Sequence, residues 1–576
     1  MDHKGMENLF QDAVFAIGLV PRMIVRSLES SDDTLFLLSS AVSVASNAAA
    51  LALETDKDPM LALELLESGR GVIVASLQDL RADAYDLQAK HPLVAERFTR
   101  LQKELSTPAP SKVTTFFQLS GGREVADTEQ LDRRDQAVRE FDSILEEIRQ
   151  LPGFQSFLGS PNDSDILEAA RGGPIAVINV SEIRCDAILV QRDRARSLRL
   201  PYLYLQDIKK KGEGDDLGSI DILAWLWATI ACPVLHALGF IQPPSTDSDL
   251  PRIWWIPTGP LSRFPLHAAG YHGKRSYKTV IDRVMSSYSC SIKVVISGRR
   301  RRICTTSPST PGQALLVAMS QTSGYNTLRY STDEVANVRD ICKSMSLKTI
   351  DFQNPHKRDI LRNLPNCKVF HFAGHAYADA SNPLNSQLYL HDWKDNPLCV
   401  SDLLKLNLNA HAPFLAYLSA CGTGRVRDDS YLDESTHLIS AFQLAGFRHV
   451  IGTLWDADDE WSVEMSRITY EGIHEGGLTN GSVCRGLHNA SRTLRDLWVD
   501  KMRPEERERR YEDIDKSVTH GKRPMESPTG VADASTKGHG VNRGTRKVDR
   551  DDGGGAEEGS KGTARPHWVP YVHFGV

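Results

Sequence analysis

Strand-like and helix-like patterns alternate along residues 314–454, and this alternation restricts the fold more than any other feature. Short apolar runs begin at Ala314, Val369, Pro413 and His449. Helical patterns separate them at 333–345, 358–364 and 433–445. Strands joined through helices pair in parallel, because the connection must cross the sheet. We therefore predict an α/β fold with a mostly parallel sheet and helices on both faces.

The first 155 residues are predicted to be helical. From Asp32 to Leu105 apolar residues recur at helical spacing, and small residues among them would let helices pack closely. No clean period of about 34 residues is present, so the region is at most a degenerate tetratricopeptide-like array. A Ser-, Thr- and Pro-rich linker covers 106–123, and a further helix is expected at 140–151.

The α/β part is expected to have two halves. The first, 156–310, holds apolar runs after Pro174 and Ala187, a helix at 220–240 and the strand that begins at Ile253. It ends in a junction that is basic at Arg299–Arg302 and Ser- and Pro-rich at Thr305–Pro311, and we interpret this junction as a solvated linker. The second half, 311–501, contains the alternating pattern described above.

The last segment changes character twice. Residues 502–566 are polar, with too little apolar surface to offset the entropy of ordering, and we predict a disordered insertion. Residues 567–576 regain an apolar, strand-like pattern and are predicted to form an edge strand of the sheet.

Composition and charge exclude several classes of protein. The chain has 576 residues, 41% of them hydrophobic, and a formal net charge of −6, so no overall positive field would hold nucleic acid or an anionic membrane. Nine cysteines are scattered without a CxxC pair, which suits a reducing compartment. The N-terminus lacks a secretory signal pattern, and we expect a cytoplasmic protein. Two uncharged runs, Thr34–Leu53 and Ile222–Ile241, are interpreted as buried helices rather than membrane spans.

Two strand patterns end in a reactive side chain. Val369-Phe-His-Phe-Ala-Gly leads into His375, and Phe414-Leu-Ala-Tyr-Leu-Ser-Ala leads into Cys421. Parallel strands end at one edge of the sheet, where ligands bind, so His375 and Cys421 can face each other. A neighbouring imidazole can take the proton of a thiol and return it to a leaving amine. A buried, inert cysteine after a strand is the alternative interpretation.

Several segments together resemble the CHAT domain, a caspase-like module related to separases and gingipains and commonly preceded by tetratricopeptide repeats. The segments are Phe372-Ala-Gly-His375, Leu418-Ser-Ala-Cys421-Gly-Thr-Gly and Ala445-Gly-Phe-Arg-His-Val-Ile-Gly-Thr-Leu-Trp-Asp-Ala-Asp-Asp459. Upstream, the segments at 254–269 and 62–70 also resemble such proteins. The resemblance runs from about Gly173 to Leu497 and resumes in the last ten residues.

The resemblance implies a cysteine peptidase dyad, with His375 as general base and Cys421 as nucleophile. Backbone N–H groups of Ala376 and Gly422 are candidates for an oxyanion hole, with Gly424 a further candidate. Ala376 departs from the His-Gly pattern of the wider clan, and its side chain could crowd a substrate although its N–H is retained.

Two other histidines have weaker claims to function. His371 and His375 have the i, i+4 spacing of a helical metal site, but the surrounding residues favour a strand, so we expect no metal site. His267, in an apolar segment interpreted as a strand, is expected to be a core residue.

Three carboxylates follow the last strand of the alternating pattern. Asp456, Asp458 and Asp459 are expected on the same sheet edge as Cys421, where they could line a pocket for a basic substrate side chain, as in arginine-directed relatives. A solvated loop with one aspartate capping the next helix is the alternative.

The favoured function is an intracellular CHAT-type cysteine endopeptidase that needs no cofactor and cleaves specific protein partners presented by the helical region. The alternative is a caspase-like signalling scaffold with an idle dyad, because a fold does not prove a chemistry. Nucleotide-driven signalling has no support, since no phosphate-binding loop of the Walker type occurs.

Overall fold

The computed structural model describes most of the chain. The described residues are 3–25, 32–69, 87–88, 90–106, 124–155, 157, 160–214, 216–246, 250–273, 276–300, 312–379, 385–406, 408, 412–420, 438–501, 511 and 566–576. Of the predicted insertion, they include only Pro566 at its end and Tyr511. Its ring packs against Tyr271 with centroids 4.9 Å apart, and its hydroxyl donates to the carbonyl oxygen of His272.

The N-terminal region is helical, as predicted. Its helices are α1 His3–Val25, α2 Asp32–Glu54, α3 Pro59–Gly69, α4 Pro92–Ser106 and α5 Glu124–Arg149. Helices α1–α3 share one apolar core with the first half of the sheet, whereas α4 and α5 form a separate core. Glu67 of α3 accepts the backbone N–H groups of Ile292 and Lys293, both at 2.9 Å. This carboxylate fixes the helical region to the sheet domain.

One large sheet forms the centre of the molecule. Its strands are β1 Ile175–Asn179, β2 Asp186–Val190, β3 Ala195–Arg199, β4 Arg252–Pro257, β5 Met285–Tyr288, β6 Gln313–Ala318, β7 Lys348–Gln353, β8 Cys367–Gly374, β12 Leu415–Ala420, β13 His449–Thr453 and β14 Tyr571–Gly575. Their spatial order within the described residues is β3-β2-β1-β4-β5-β14-β13-β12-β8-β6-β7. A small second sheet contains β9 Ala376–Tyr377, β10 Gln387–Leu388 and β11 Leu398–Cys399.

Most neighbouring strands are parallel, as the alternating pattern predicts. Two parallel blocks, β1-β4-β5-β14 and β13-β12-β8-β6-β7, meet where β14 and β13 run antiparallel. The hairpins joining β1, β2 and β3 add antiparallel strands at one side. The strands of the second block are almost wholly buried, except for the outer strand β7.

Helices cover both faces of the sheet. They are α6 Asp163–Glu168, α7 Leu205–Gly212, α8 Ile220–Ala237, α9 Ile292–Arg300, α10 Ser331–Ser344, α11 Lys357–Asn363, α12 Val400–Lys405, α13 Leu438–Ala445, α14 Asp459–Gly476 and α15 Asn480–Lys501. One face packs on α10, α14 and α15, and the other packs on α8, α12 and α13. This is the three-layer arrangement expected of an α/β fold.

The prediction of an edge strand at the C-terminus is wrong. β14 lies inside the sheet, parallel to β5 on one side and antiparallel to β13 on the other. The nitrogen of the Trp254 side chain also donates to the carbonyl oxygen of Gly575 at 2.8 Å. The last strand therefore joins the two halves of the molecule.

Helix α8 is long and strongly apolar. It is the one described helix whose length and hydropathy would suffice to cross a membrane, and 67% of that window is buried inside the protein. A π turn at Trp227–Ala231 divides it into two α-helical parts. Its apolar side chains belong to the core on one face of the sheet, which agrees with the interpretation as a buried helix.

Two smaller expectations are corrected. His267 lies in a 3₁₀ turn at Leu266–Ala268 rather than in a strand. Arg299 is not part of a solvated linker: it lies in the last turn of α9, stacks on the Trp254 ring at 4.7 Å and donates to the carbonyl oxygen of Ala169. Burial and the nearby Arg252 lower the pKa of Arg299 to about 10. The remainder of the junction, 301–311, lies outside the described residues.

Candidate active site

Two neighbouring parallel strands bring the two segments of the predicted dyad to one edge of the sheet. β8 and β12 pair from Val369 with Leu415 to Gly374 with Ala420. Gly374 directly precedes His375, and Ala420 directly precedes Cys421. Cys421 and Gly422 themselves lie outside the described residues. The register nevertheless aligns the two strand ends from which both dyad residues follow.

Position 374, at the end of β8, favours glycine because a side chain there would clash with its neighbours. A Cβ atom there would lie 2.6 Å from the ring of Phe372 and 2.9 Å from Cβ of Met319. Both distances are shorter than real Cβ contacts, and the second involves an atom next to the backbone. The glycine lets the strand end pack closely against β6, directly before the histidine.

The imidazole of His375 is oriented by a backbone carbonyl. Its Nε2 lies 2.9 Å from the oxygen of Asn326, which can only accept a hydrogen bond, so Nε2 carries the proton. In the neutral ring this leaves the lone pair on Nδ1, and Nδ1 is then the atom able to accept a proton. Asn326 lies in the 320–330 loop, which joins β6 to α10.

The backbone N–H of Ala376 points away from the small sheet. The N–H of Tyr389 donates to the oxygen of His375 at 2.9 Å, so these two residues form a hydrogen-bonded pair of the antiparallel ladder. The next pair, Ala376 with Leu388, is then a non-hydrogen-bonded pair. The ladder with β10 therefore does not use the N–H of Ala376, and its role as an oxyanion donor stays a prediction.

The end of β12 is held from two sides. Thr453 donates from its hydroxyl to the carbonyl oxygen of Ala420 at 2.7 Å. Ser419 donates from its hydroxyl to Oε2 of Glu334 at 3.0 Å. These bonds fix the strand up to the residue before Cys421.

A buried polar group lies beneath this edge. Glu334, 1% exposed, places Oε1 3.4 Å from Nε2 of His371, which is fully buried. The His371 ring stacks on Tyr417 at 5.0 Å, and its Nδ1 lies 3.4 Å from the hydroxyl of Tyr470. Glu334 thus links α10 to β8 and β12 below the dyad segments. The sequence offered no signal for it, because an acidic residue in the first turn of a helix is common on exposed surfaces.

His371 and His375 have different environments, because only His371 lies within β8, which ends at Gly374. His371 lies in the core beneath the sheet edge, whereas His375 is partly exposed at that edge. Among the described residues, no group of three or more His, Cys, Asp or Glu side chains is arranged to hold a metal ion.

The three aspartates after β13 have different partners. Asp458 caps α14 and accepts the N–H groups of Glu460 and Trp461 at 3.0 and 3.2 Å, which is the alternative role left open by the sequence. Asp459 accepts the N–H of Tyr330 at 3.0 Å and so contacts the 320–330 loop. Asp456 is exposed. Their role as a substrate pocket stays a prediction.

Aromatic side chains surround His375, and sequence reasoning missed them. The Tyr325 ring lies 5.3 Å from the His375 ring between centroids, and Tyr389 and Trp393 pack behind it. These residues come from the 320–330 loop and from the segment after β10. They are far apart in the chain and belong to no periodic pattern, so the sequence gives no signal that they meet.

His267 occupies the core, as expected. One ring nitrogen lies 2.9 Å from the hydroxyl of Tyr288, and the other lies 3.0 Å from the carbonyl oxygen of Val569. Burial lowers the pKa of His267 to about 4. A neutral ring with both nitrogens in hydrogen bonds to core groups serves structure rather than catalysis.

Several described cysteines are poor nucleophiles. Burial raises the pKa of Cys185 to about 11 and the pKa values of Cys342 and Cys367 to about 12. Burial also raises the pKa of Cys399. Since the thiolate is the reactive form, Cys185, Cys342 and Cys367 carry very little of it near neutral pH.

Comparisons with solved structures find distant likenesses. Gingipain R, an Arg-specific cysteine proteinase, is 15% identical with a TM-score of 0.33 and coverage of 49% of this chain and 71% of its own. The complex of the pro- and mature domains of Porphyromonas gingivalis RgpB is 13% identical with a TM-score of 0.33. The match covers 50% of this chain and 68% of the other. The separase–securin complex of Saccharomyces cerevisiae gives 11% identity and a TM-score of 0.41, with 83% of this chain but 36% of the other covered.

A family model decides the classification. No curated protein matches the chain in sequence. The model of the CHAT domain matches residues 221–571, which is well over half of the chain and includes both dyad segments. The resemblance inferred from the sequence motifs is thereby confirmed, and the chain belongs to the CHAT domain family.

Proposed function

We propose that this protein is a cysteine endopeptidase that uses His375 and Cys421 as its dyad. The observation that carries the proposal is the shared edge of β8 and β12, where Gly374 and Ala420 are register partners directly before the two residues. The hydrogen bond from His375 Nε2 to Asn326 supports it, because the base in such a dyad needs a fixed tautomer.

In the proposed reaction, Nδ1 of His375 takes the thiol proton and the sulfur of Cys421 attacks the scissile carbonyl carbon. The N–H of Ala376, with that of Gly422, stabilises the negative charge on the carbonyl oxygen. The imidazolium then gives its proton to the leaving amine as the C–N bond breaks. Water, activated by the same imidazole, hydrolyses the thioester and restores the thiol.

The substrates are proposed to be specific protein partners held by the helical region inside the cell. Support comes from the firm attachment of that region to the sheet domain: Glu67 caps the start of α9, and Asn179 donates to the carbonyl oxygen of Ser46 at 2.9 Å. A partner bound on α1–α3 would therefore keep a defined orientation relative to the sheet.

The proposal is tested by incubating the full-length protein with a diverse peptide library and identifying new termini by mass spectrometry. Cleavage by the wild type that vanishes in Cys421→Ala and in His375→Ala is the expected result. Ser346→Ala, at an exposed turn remote in sequence from both strand ends, serves as the matched control. Absence of cleavage by a wild type that still binds partner proteins would favour the signalling scaffold instead.

A further inference from the structure

We propose that an aromatic patch next to His375, formed by Tyr325, Tyr377, Tyr389 and Trp393, is a subsite that binds an aromatic side chain of the peptide. This inference deepens the proposed function and rests on it for the location of the scissile bond. It assigns a ligand class to residues that the dyad chemistry does not use.

The four rings form one continuous surface that reaches the dyad histidine. Tyr325 lies 4.8 Å from Tyr389 and 5.8 Å from Trp393 between ring centroids. Tyr389 lies 4.3 Å from Trp393, and Tyr377 lies 6.5 Å from Tyr389 with planes only 8° apart. Because Tyr325 also packs against His375, a peptide held for attack next to His375 would pass over this patch.

The patch has an outer layer and a supporting layer. Tyr325 and Tyr377 are 45% and 37% exposed, whereas Tyr389 is 3% exposed. The hydroxyls of Tyr325 and Tyr389 bond to each other at 2.9 Å. This bond holds the outer ring on the inner one, and clustered exposed aromatic surface of this kind is characteristic of binding sites.

A cation of the protein itself, Lys394, already lies over one ring of the patch. Nζ of Lys394 lies 5.7 Å from the centre of the Trp393 ring and bonds to the hydroxyl of Ser323 at 3.0 Å. The nearby carboxylate of Asp392 accepts the N–H of Lys357 at 2.9 Å. A lysine or arginine of the peptide would have to compete with Lys394 for the Trp393 ring, while a phenylalanine or tyrosine ring would add edge-to-face or offset contacts.

The test measures binding and cleavage separately. Fluorescent peptides that differ only by Phe, Arg or Ala at one position are titrated into the full-length Cys421→Ala protein, which cannot turn them over, and the varied position is moved along the peptide. We expect Phe to bind about tenfold more tightly than Ala at one position. This preference should be lost in Tyr377→Ala and kept in Tyr325→Phe, which retains the ring.

Tyr202→Ala provides the matched control, since Tyr202 is 47% exposed and follows β3 at the other end of the sheet. Tyr377→Leu keeps apolar bulk if the alanine variant does not fold, and should still lose the selectivity for a ring. Equal binding of Phe and Ala at every position would overturn the subsite, and so would a preference for Arg that depends on Tyr377. Phe-selective binding to a protein that cleaves no peptide would reject the peptidase and keep the subsite.

Discussion

The Nε2 atom of His375 lies 2.9 Å from the carbonyl oxygen of Asn326, and through this contact the 320–330 loop helps to hold the imidazole of the candidate base. The same loop bonds to Asp459 through the N–H of Tyr330. The orientation of the imidazole therefore depends on where α14 begins as well as on β8.

Cys421 is expected to be the most reactive thiol of the chain. His375 should lower its pKa, whereas burial raises the pKa values of Cys185, Cys342 and Cys367 to about 11 or above. Labelling with limiting iodoacetamide at about pH 6, followed by peptide mapping, measures this. His375→Ala should slow the labelling of Cys421 roughly tenfold or more. Earlier modification of the partly exposed Cys232 would contradict the dyad.

Glu334→Gln is expected to destabilise the protein by about 1.5–3 kcal/mol, because it replaces a buried carboxylate that accepts the Ser419 hydroxyl and faces His371. Urea unfolding followed by circular dichroism measures the loss. Asp333→Asn is the control: it removes the same charge from the neighbouring, exposed residue and should change the free energy of unfolding by less than about 0.5 kcal/mol. Equal effects of the two substitutions would refute the linking role of Glu334.

Stability is expected to fall as the pH drops below about 6.5. Burial, with the charge of Arg252, lowers the pKa of His449 from 6.5 to about 3, and burial lowers the pKa of His267 to about 4. The unfolded chain therefore binds protons that the folded protein excludes, and this favours unfolding in acid. Each of the two histidines should lower the free energy of unfolding by about 1.4 kcal/mol between pH 7.5 and 5.5.

Urea unfolding at these two pH values measures the slope. His449→Gln cannot titrate at this position. It should reduce the change in the free energy of unfolding between the two pH values by about 1.4 kcal/mol, the contribution of one ring. A slope that is unchanged in this variant would mean that other groups control the acid sensitivity.

Asp456 is expected to favour arginine on the amino side of the cleaved bond. It is exposed on the loop that follows β13, so the contact would be modest, about tenfold in selectivity. Library profiling of Asp456→Asn, Asp458→Asn and Asp459→Asn measures it. Asp458→Asn should keep α14 intact, since asparagine also caps helices well. A preference for apolar residues, or an arginine preference unaffected by all three changes, would eliminate the pocket.

Cutting the chain after Gly540 is expected to leave the C-terminal segment bound. β14 is paired on both sides, with β5 and β13, and the rings of Trp568 and Tyr571 are almost completely buried. A specific protease site inserted there, followed by gel filtration of the cut protein, tests this expectation. Release of the C-terminal fragment without denaturant would show that the strand pairing is weak.

The sequence predicted those parts of the site that depend on local patterns. β8 and β12 are short apolar runs, and parallel pairing brings their ends to one edge, so the segments leading into His375 and Cys421 could be paired without a structure. Asn326, Tyr325 and Glu334 could not be found in this way, because each contributes through a contact across the fold that leaves no periodic signal.

The position of β14 shows a different limit. An apolar strand at an edge and one in the middle of a sheet have similar compositions, and strand order depends on long-range pairing that local patterns do not encode. The tetratricopeptide-like origin of the helical region and the cytoplasmic location stay predictions.

The interior position of β14 also has a consequence for biogenesis. While the ribosome is still translating the preceding residues, β5 and β13 each lack the strand that will lie beside them. The gap between them cannot close until Tyr571–Gly575 has left the exit tunnel. The pairings that β14 makes span more than a hundred residues of chain, so they form late and slowly. Until then the nascent chain carries two unjoined half-sheets, so the edge formed by β8 and β12 can be in place while the other half of the sheet is still unattached.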